Sequence, residues 1–99
     1  MGARISVAFK KGDQQSVTLF NHWGGEEFLA STENYVKELK QERIGSMLPL
    51  DRLEPETVMV DYIRHLTHKM PRVERSLYLG ANGNDGDNSD HGHHIISLD

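Results

Sequence analysis

The sequence predicts an α+β fold, a four-stranded, largely antiparallel sheet in ββααββ order with two helices packed on one face. Three observations predict it. Apolar residues alternate with polar ones at both ends of the chain, and they recur at helical spacing in the middle. The length of 99 residues suits one domain (1–99) and not two.

The first strand is RISVAFK, residues 4–10. Ile5, Val7 and Phe9 fall on one face, and Arg4, Ser6, Ala8 and Lys10 on the other. Gly12-Asp13 supplies a tight turn, and SVTLFN resumes the alternation with Val17 and Leu19 inward. The two segments form a hairpin. Gly24-Gly25 then breaks the chain after His22 and Trp23. Trp23 is the lone tryptophan, and its ring is expected to cap the core.

A helix is expected over about residues 26–43. Glu26 and Glu27 stand in its first turn, where carboxylates meet the positive end of the dipole. Phe28, Thr32, Tyr35 and Leu39 make its inner stripe, with Leu29 and Val36 beside them. Residues 44–53 form an apolar connector that should lie against the core. A second helix opens at Glu54-Pro55-Glu56, with proline at the first helical position, and ends at Met70-Pro71. Its buried stripe is Val58, Met59, Tyr62, Ile63, Leu66 and Met70. Asp61, His65 and His68 share the other face, which should meet solvent. Strands follow at 76–80 and 93–98. Leu77 and Leu79 share one face of the first. Ile96 and Leu98 share one face of the second, with Ile95 opposite. A second hairpin is expected there, to join the first in one sheet.

There is no cysteine, which removes disulfides, thiolate zinc sites and cysteine nucleophiles. No apolar run approaches the roughly 18 residues of a membrane span. The N-terminal MGARISVAF lacks the pattern of a signal peptide. A soluble, cytoplasmic protein with no membrane partner is expected. The net charge of −4 is localised. Basic and acidic side chains cancel over residues 1–30 and again over 31–75, whereas 76–99 carry Asp85, Asp87, Asp90 and Asp99 with no lysine or arginine. That field repels phosphate backbones and attracts cations, so nucleic acid is not expected as a partner.

The acidic excess lies in GANGNDGDNSDHGHH, residues 80–94. The stretch joins the last two strands through about twelve residues, longer than the usual 4 to 6. Asp85, Asp87 and Ser89 occupy alternate positions, as oxygen ligands of calcium often do. An EF-hand is rejected, because Asp90 stands where that motif needs glycine and Ile96 where it needs glutamate. A looser site remains, with Asp85, Asp87 and Asp90 as charged ligands and Asn84 and Ser89 as neutral ones. The competing reading is an acidic surface turn, since the same residue types form ordinary turns.

His91 and His93 could instead hold zinc or nickel, with Asp87 and His22 completing the set. No nucleophile elbow, phosphate loop, dinucleotide fingerprint or HExxH motif is present. VTLFNHWGGEE after the first strand, together with SLYLGANGNDGDNSDHGHHIISLD at the C-terminus, resembles small uncharacterised proteins of archaea and phages. In those, a His-Trp-Gly-Gly turn follows the second strand and an Asn/Asp/Gly loop joins the last two strands. The resemblance implies no activity, and adds only an association of small archaeal α+β proteins with calcium at an acidic surface.

The leading expectation is therefore a binding protein for a divalent cation, calcium first, with no catalytic residues. The alternatives are a protein-interaction module using the acidic edge or the Trp23 turn, without metal, and a metal-dependent hydrolase built on His22, His91, His93 and Asp87.

Overall fold

In the computed structural model the described residues are 3–41, 53–70 and 72–99. Strands β1 (Ile5–Lys11), β2 (Gln14–Gln15) and β3 (Thr18–Asn21) are followed by helices α1 (Gly25–Lys40) and α2 (Pro55–Lys69). A 3-10 turn, Val73–Ser76, leads into β4 (Leu77–Gly80), and β5 (His93–Ser97) ends the fold.

The α+β class holds, with helices packed against an open sheet. The first hairpin forms as the alternation predicts. β1 pairs antiparallel with β2 and then β3, Lys10 opposite Gln15 and Val7 opposite Leu19. The two registers differ by one residue, which marks a bulge at Ser16-Val17. Ser16 satisfies the break. Its N–H donates to the Phe9 carbonyl, and its Oγ accepts the Phe9 N–H, both at 2.9 Å. Gly12 takes φ +59° in the turn, a conformation that costs glycine little.

The second hairpin does not form. β4 pairs antiparallel with β3, and β5 pairs parallel with β1, Ser6 opposite His93 and Lys10 opposite Ser97. β4 and β5 therefore run in the same direction on opposite edges of the sheet. Two parallel strands need a crossover of roughly a dozen residues, and residues 81–92 supply that length. The long connection is the reason a hairpin is not required here.

One face of the sheet carries the helices. Ile5, Val7, Phe9 and Leu19 meet Phe28, Tyr35, Leu39, Val58, Met59, Tyr62 and Leu66 in one buried cluster. Polar groups within it are paired. The Thr32 hydroxyl donates to the Phe28 carbonyl at 2.8 Å, so the Tyr62 hydroxyl must donate to Thr32, at 2.6 Å. Burial pushes the Tyr62 phenol up to about 12. Leu53 and Leu98 close the cluster. The proposed end of the first helix at 42–43, and the apolar connector up to residue 52, lie outside the described residues.

Four details differ from the sequence reading. His65, expected on the solvent face, is half-buried and packs against Tyr35 with ring centroids 5.3 Å apart. Asp61 does not face open solvent, because its side chain is only 12% exposed and accepts the Tyr35 hydroxyl at 2.5 Å. Arg64 pairs with its other oxygen at 3.2 Å. The buried Tyr35 phenol needs an acceptor, and Asp61 is within one helical turn of the apolar stripe. Met70 leaves the stripe at the helix end and is 42% exposed. Trp23 does not cap the core, since it is 71% exposed. Among the described residues no helix is long and apolar enough to cross a membrane.

Candidate functional site

The other face of the sheet presents Ser6 and Ala8 from β1 and Phe20 from β3, all fully buried. Half-buried Tyr78 and His93 lie beside them, opposite Phe20 and Ser6 in the register. No helix lies on that face among the described elements. The 81–92 crossover covers it. Phe20 and Tyr78 stack with ring centroids 4.8 Å apart, and Gly86 sits against both rings. A Cβ at Gly86 would lie 2.6 Å from Tyr78 Oη and 2.8 Å from Phe20 Cε2, so only glycine fits that approach.

Polar groups anchor the crossover. Asn88 Nδ2 donates to both Ser6 Oγ and the Gly83 carbonyl at 2.9 Å. Ser6 Oγ lies 2.7 Å from His93 Nδ1. Ser6 Oγ, with one proton and two lone pairs, can hold Asn88 and His93 together and so ties the crossover to β5. The Asp87 N–H donates to Tyr78 Oη at 2.9 Å. The Gly92 N–H donates to the Asn88 carbonyl at 2.7 Å.

The residues singled out as cation ligands lie together on this loop, and each of the three carboxylates has at least one oxygen bonded within the chain. Asp85 Oδ2 accepts the N–H groups of Ala81, at 2.6 Å, and Asn82, at 3.2 Å. Asp87 Oδ1 accepts the Ser89 N–H at 3.1 Å and the Ser89 hydroxyl at 2.8 Å. Asp87 Oδ2 stands 3.3 Å from Arg4 Nε. Asp90 Oδ2 accepts the Arg4 N–H at 3.0 Å and lies 3.7 Å from Arg4 Nη1. Asn84 contributes its N–H to Asn82 Oδ1 at 2.8 Å. The Ser89 bonds, with Arg4 assisting, hold the Asp87 carboxyl below the usual carboxylate range.

Arg4 thus stands between Asp87 and Asp90 as the loop's counter-charge. Sequence reasoning missed it, although the signal was present. Residues 76–99 contain four aspartates and no lysine or arginine, so a cation had to come from elsewhere, and parallel pairing of β5 with β1 brings Arg4 there.

The histidines are dispersed. His22 packs against Tyr78, with centroids 5.0 Å apart, and His93 bonds Ser6. The His91 carbonyl accepts a bond from His94 Nε2 at 2.7 Å, and its N–H donates to the Arg4 carbonyl. Among the described residues no group of three or more His, Asp or Glu side chains is placed to hold a metal ion.

Burial holds the His93 imidazole below its ordinary value, and neighbouring His94 acts in the same direction. The fold therefore favours neutral His93, and the unfolded chain takes up the proton first. Stability from this group is complete above the unfolded value of about 6.5 and falls as pH drops through it. Urea melts at pH 7.5 and 5.5 should give a weaker fold at the lower pH. His93→Asn, which keeps a hydrogen-bonding group for Ser6, should reduce that difference, and an unchanged difference would contradict this role.

The second feature is a cleft of about 370 Å³ between the end of β3, the start of α1 and the end of α2. Phe28, Met70 and Val73 form its apolar wall, Trp23 stands at its mouth, and Glu27 and Lys69 add one charge of each sign. Gly25, at φ +58°, turns the chain from Trp23 into α1, and its N–H donates to the Ala3 carbonyl at 2.9 Å. Asn21 Oδ1 accepts the Trp23 N–H at 2.9 Å and holds the turn. The backbone is fixed while the indole is left in solvent.

The fold and these two features define a small α+β domain with a structured acidic crossover and an exposed aromatic cleft. No protein-family model matches the chain, and no curated protein or solved structure matches it significantly.

Proposed function

We propose that the protein is a protein-interaction module whose Trp23 cleft receives a bulky apolar side chain from a partner polypeptide. The observation that carries this reading is the 71% exposure of Trp23 beside an apolar cleft. Leaving a tryptophan in water forgoes the burial that its large apolar surface could gain. Tryptophan and methionine are the residue types enriched at protein contacts, and Met70 is exposed on the same rim. The cleft lies at the small end of the range for binding pockets, a size suited to one anchoring side chain. Charges of both signs on its wall favour a polypeptide over a strongly charged ligand.

The test is a random-peptide library panned on the folded protein, with selected peptides titrated against wild type and Trp23→Ala. Peptides sharing a bulky apolar anchor are expected, with a loss of about tenfold or more on removing Trp23, the scale of an interface anchor. Fluorescence of the single tryptophan should shift to the blue on binding. Peptides that bind both forms equally would overturn the reading.

Calcium at residues 84–90 is the competing proposal. An ion there would compete with Arg4 for Asp87 and Asp90, and with the N–H groups of Ala81 and Asn82 for Asp85 Oδ2. Calcium titration with a thermal melt separates the two. A melting temperature that rises with calcium, and does not in the Asp85→Asn, Asp87→Asn double variant, would favour the cation.

A further inference from the structure

We propose that β5 pairs with β5 of a second copy of this chain, across a two-fold axis at Ile95, to make one sheet that runs through both protomers. The surface is separate from the Trp23 cleft. Among the described residues β5 pairs on one side only, with β1, and no element lies along its outer edge. The Ser6 N–H donates to the Gly92 carbonyl and the Leu98 N–H to the Lys10 carbonyl. Even-numbered residues of β5 thus turn their backbone groups toward β1. Alternation along a parallel ladder then directs the N–H and carbonyl groups of His93, Ile95 and Ser97 outward.

Those three residues are self-complementary. An antiparallel copy rotated about Ile95 sets Ile95 opposite Ile95, and His93 opposite Ser97 in both directions. Each pair is of the hydrogen-bonded kind, so every outward N–H meets a carbonyl. Side chains permit the approach. Ile95 is 49% exposed, and its cross-strand partner would be another β-branched residue. Residues 91–98 carry no lysine, arginine, aspartate, glutamate or proline. Natural edge strands are commonly guarded against pairing by such residues, and this one is not. The opposite edge, β4, is shorter, and joining it to β5 would be a head-to-tail contact that adds copies without closing. The β5–β5 contact closes at two.

Sedimentation equilibrium of wild type, Ile95→Lys and Trp23→Ala tests this across micromolar to millimolar protein. Wild type and Trp23→Ala should move with concentration toward twice the chain mass of 11.2 kDa. Ile95→Lys should remain at 11.2 kDa, because two lysines would face each other at the axis. Amide exchange of wild type gives a second readout that needs no variant to fold. The Ile95 and Ser97 amides should be protected at high concentration and lose that protection on dilution. A wild-type monomer throughout, a dimer that survives Ile95→Lys, or a dimer lost only in Trp23→Ala would overturn the proposal.

Discussion

Phe20→Ala is expected to destabilise the fold by roughly 3–5 kcal/mol, the range for removing a buried phenylalanine ring. Phe20 lies on the face of the sheet away from the helices, where a half-exposed side chain would be ordinary for an antiparallel sheet. Here it is fully buried, stacked on Tyr78 and touched by Gly86. The loss combines the apolar area returned to water with a cavity under the crossover. Urea melts measure it. A cost below about 1 kcal/mol would mean that residues 81–92 do not cover Phe20.

Leu66→Ala should cost roughly 2–5 kcal/mol, since its side chain is 1% exposed among the residues of α2 that meet β1. Asp61→Ala, on the same helix, should cost about 1–3 kcal/mol, more than an ordinary surface change. It leaves the hydroxyl of buried Tyr35 without its acceptor. The same melts compare the two variants. A neutral Asp61→Ala would show that water replaces the carboxylate at Tyr35 without loss.

Local pattern made much of the fold legible. Alternation located β1, the β2–β3 strand, β4 and β5, and helical spacing with Pro55 located α2 to within a residue of its start. Pairing between distant strands was not legible. The strand HHIIS is equally compatible with a hairpin and with a parallel edge, because its side-chain alternation is the same in both. Which partner it takes depends on where the crossover packs, and that is decided by Gly86, Asn88 and Ser6 meeting across the chain.

The candidate site was legible as a location and not as an arrangement. Composition identified 80–94 as unusual but could not say whether its carboxylates face outward or bond inward. Aspartate in a turn often bonds backbone N–H groups two or more residues away, and Asp85 and Asp87 both do so. The exposure of Trp23 ran against the general burial of that residue type. It follows from Asn21 and Gly25, which orient the turn before the indole can reach the core.

The central claim is that residues 81–92 form an ordered crossover closing the second face of the sheet, with their carboxylates bonded to Arg4 and to their own backbone. Residue-resolved amide hydrogen exchange of the metal-free protein tests it most directly. The His91 and Gly92 amides, bonded to the carbonyls of Arg4 and Asn88, and the Asp87 amide, bonded to Tyr78, should exchange about as slowly as those of β3. Exchange of all three at the rate of an unstructured chain, beside a protected β3, would contradict it.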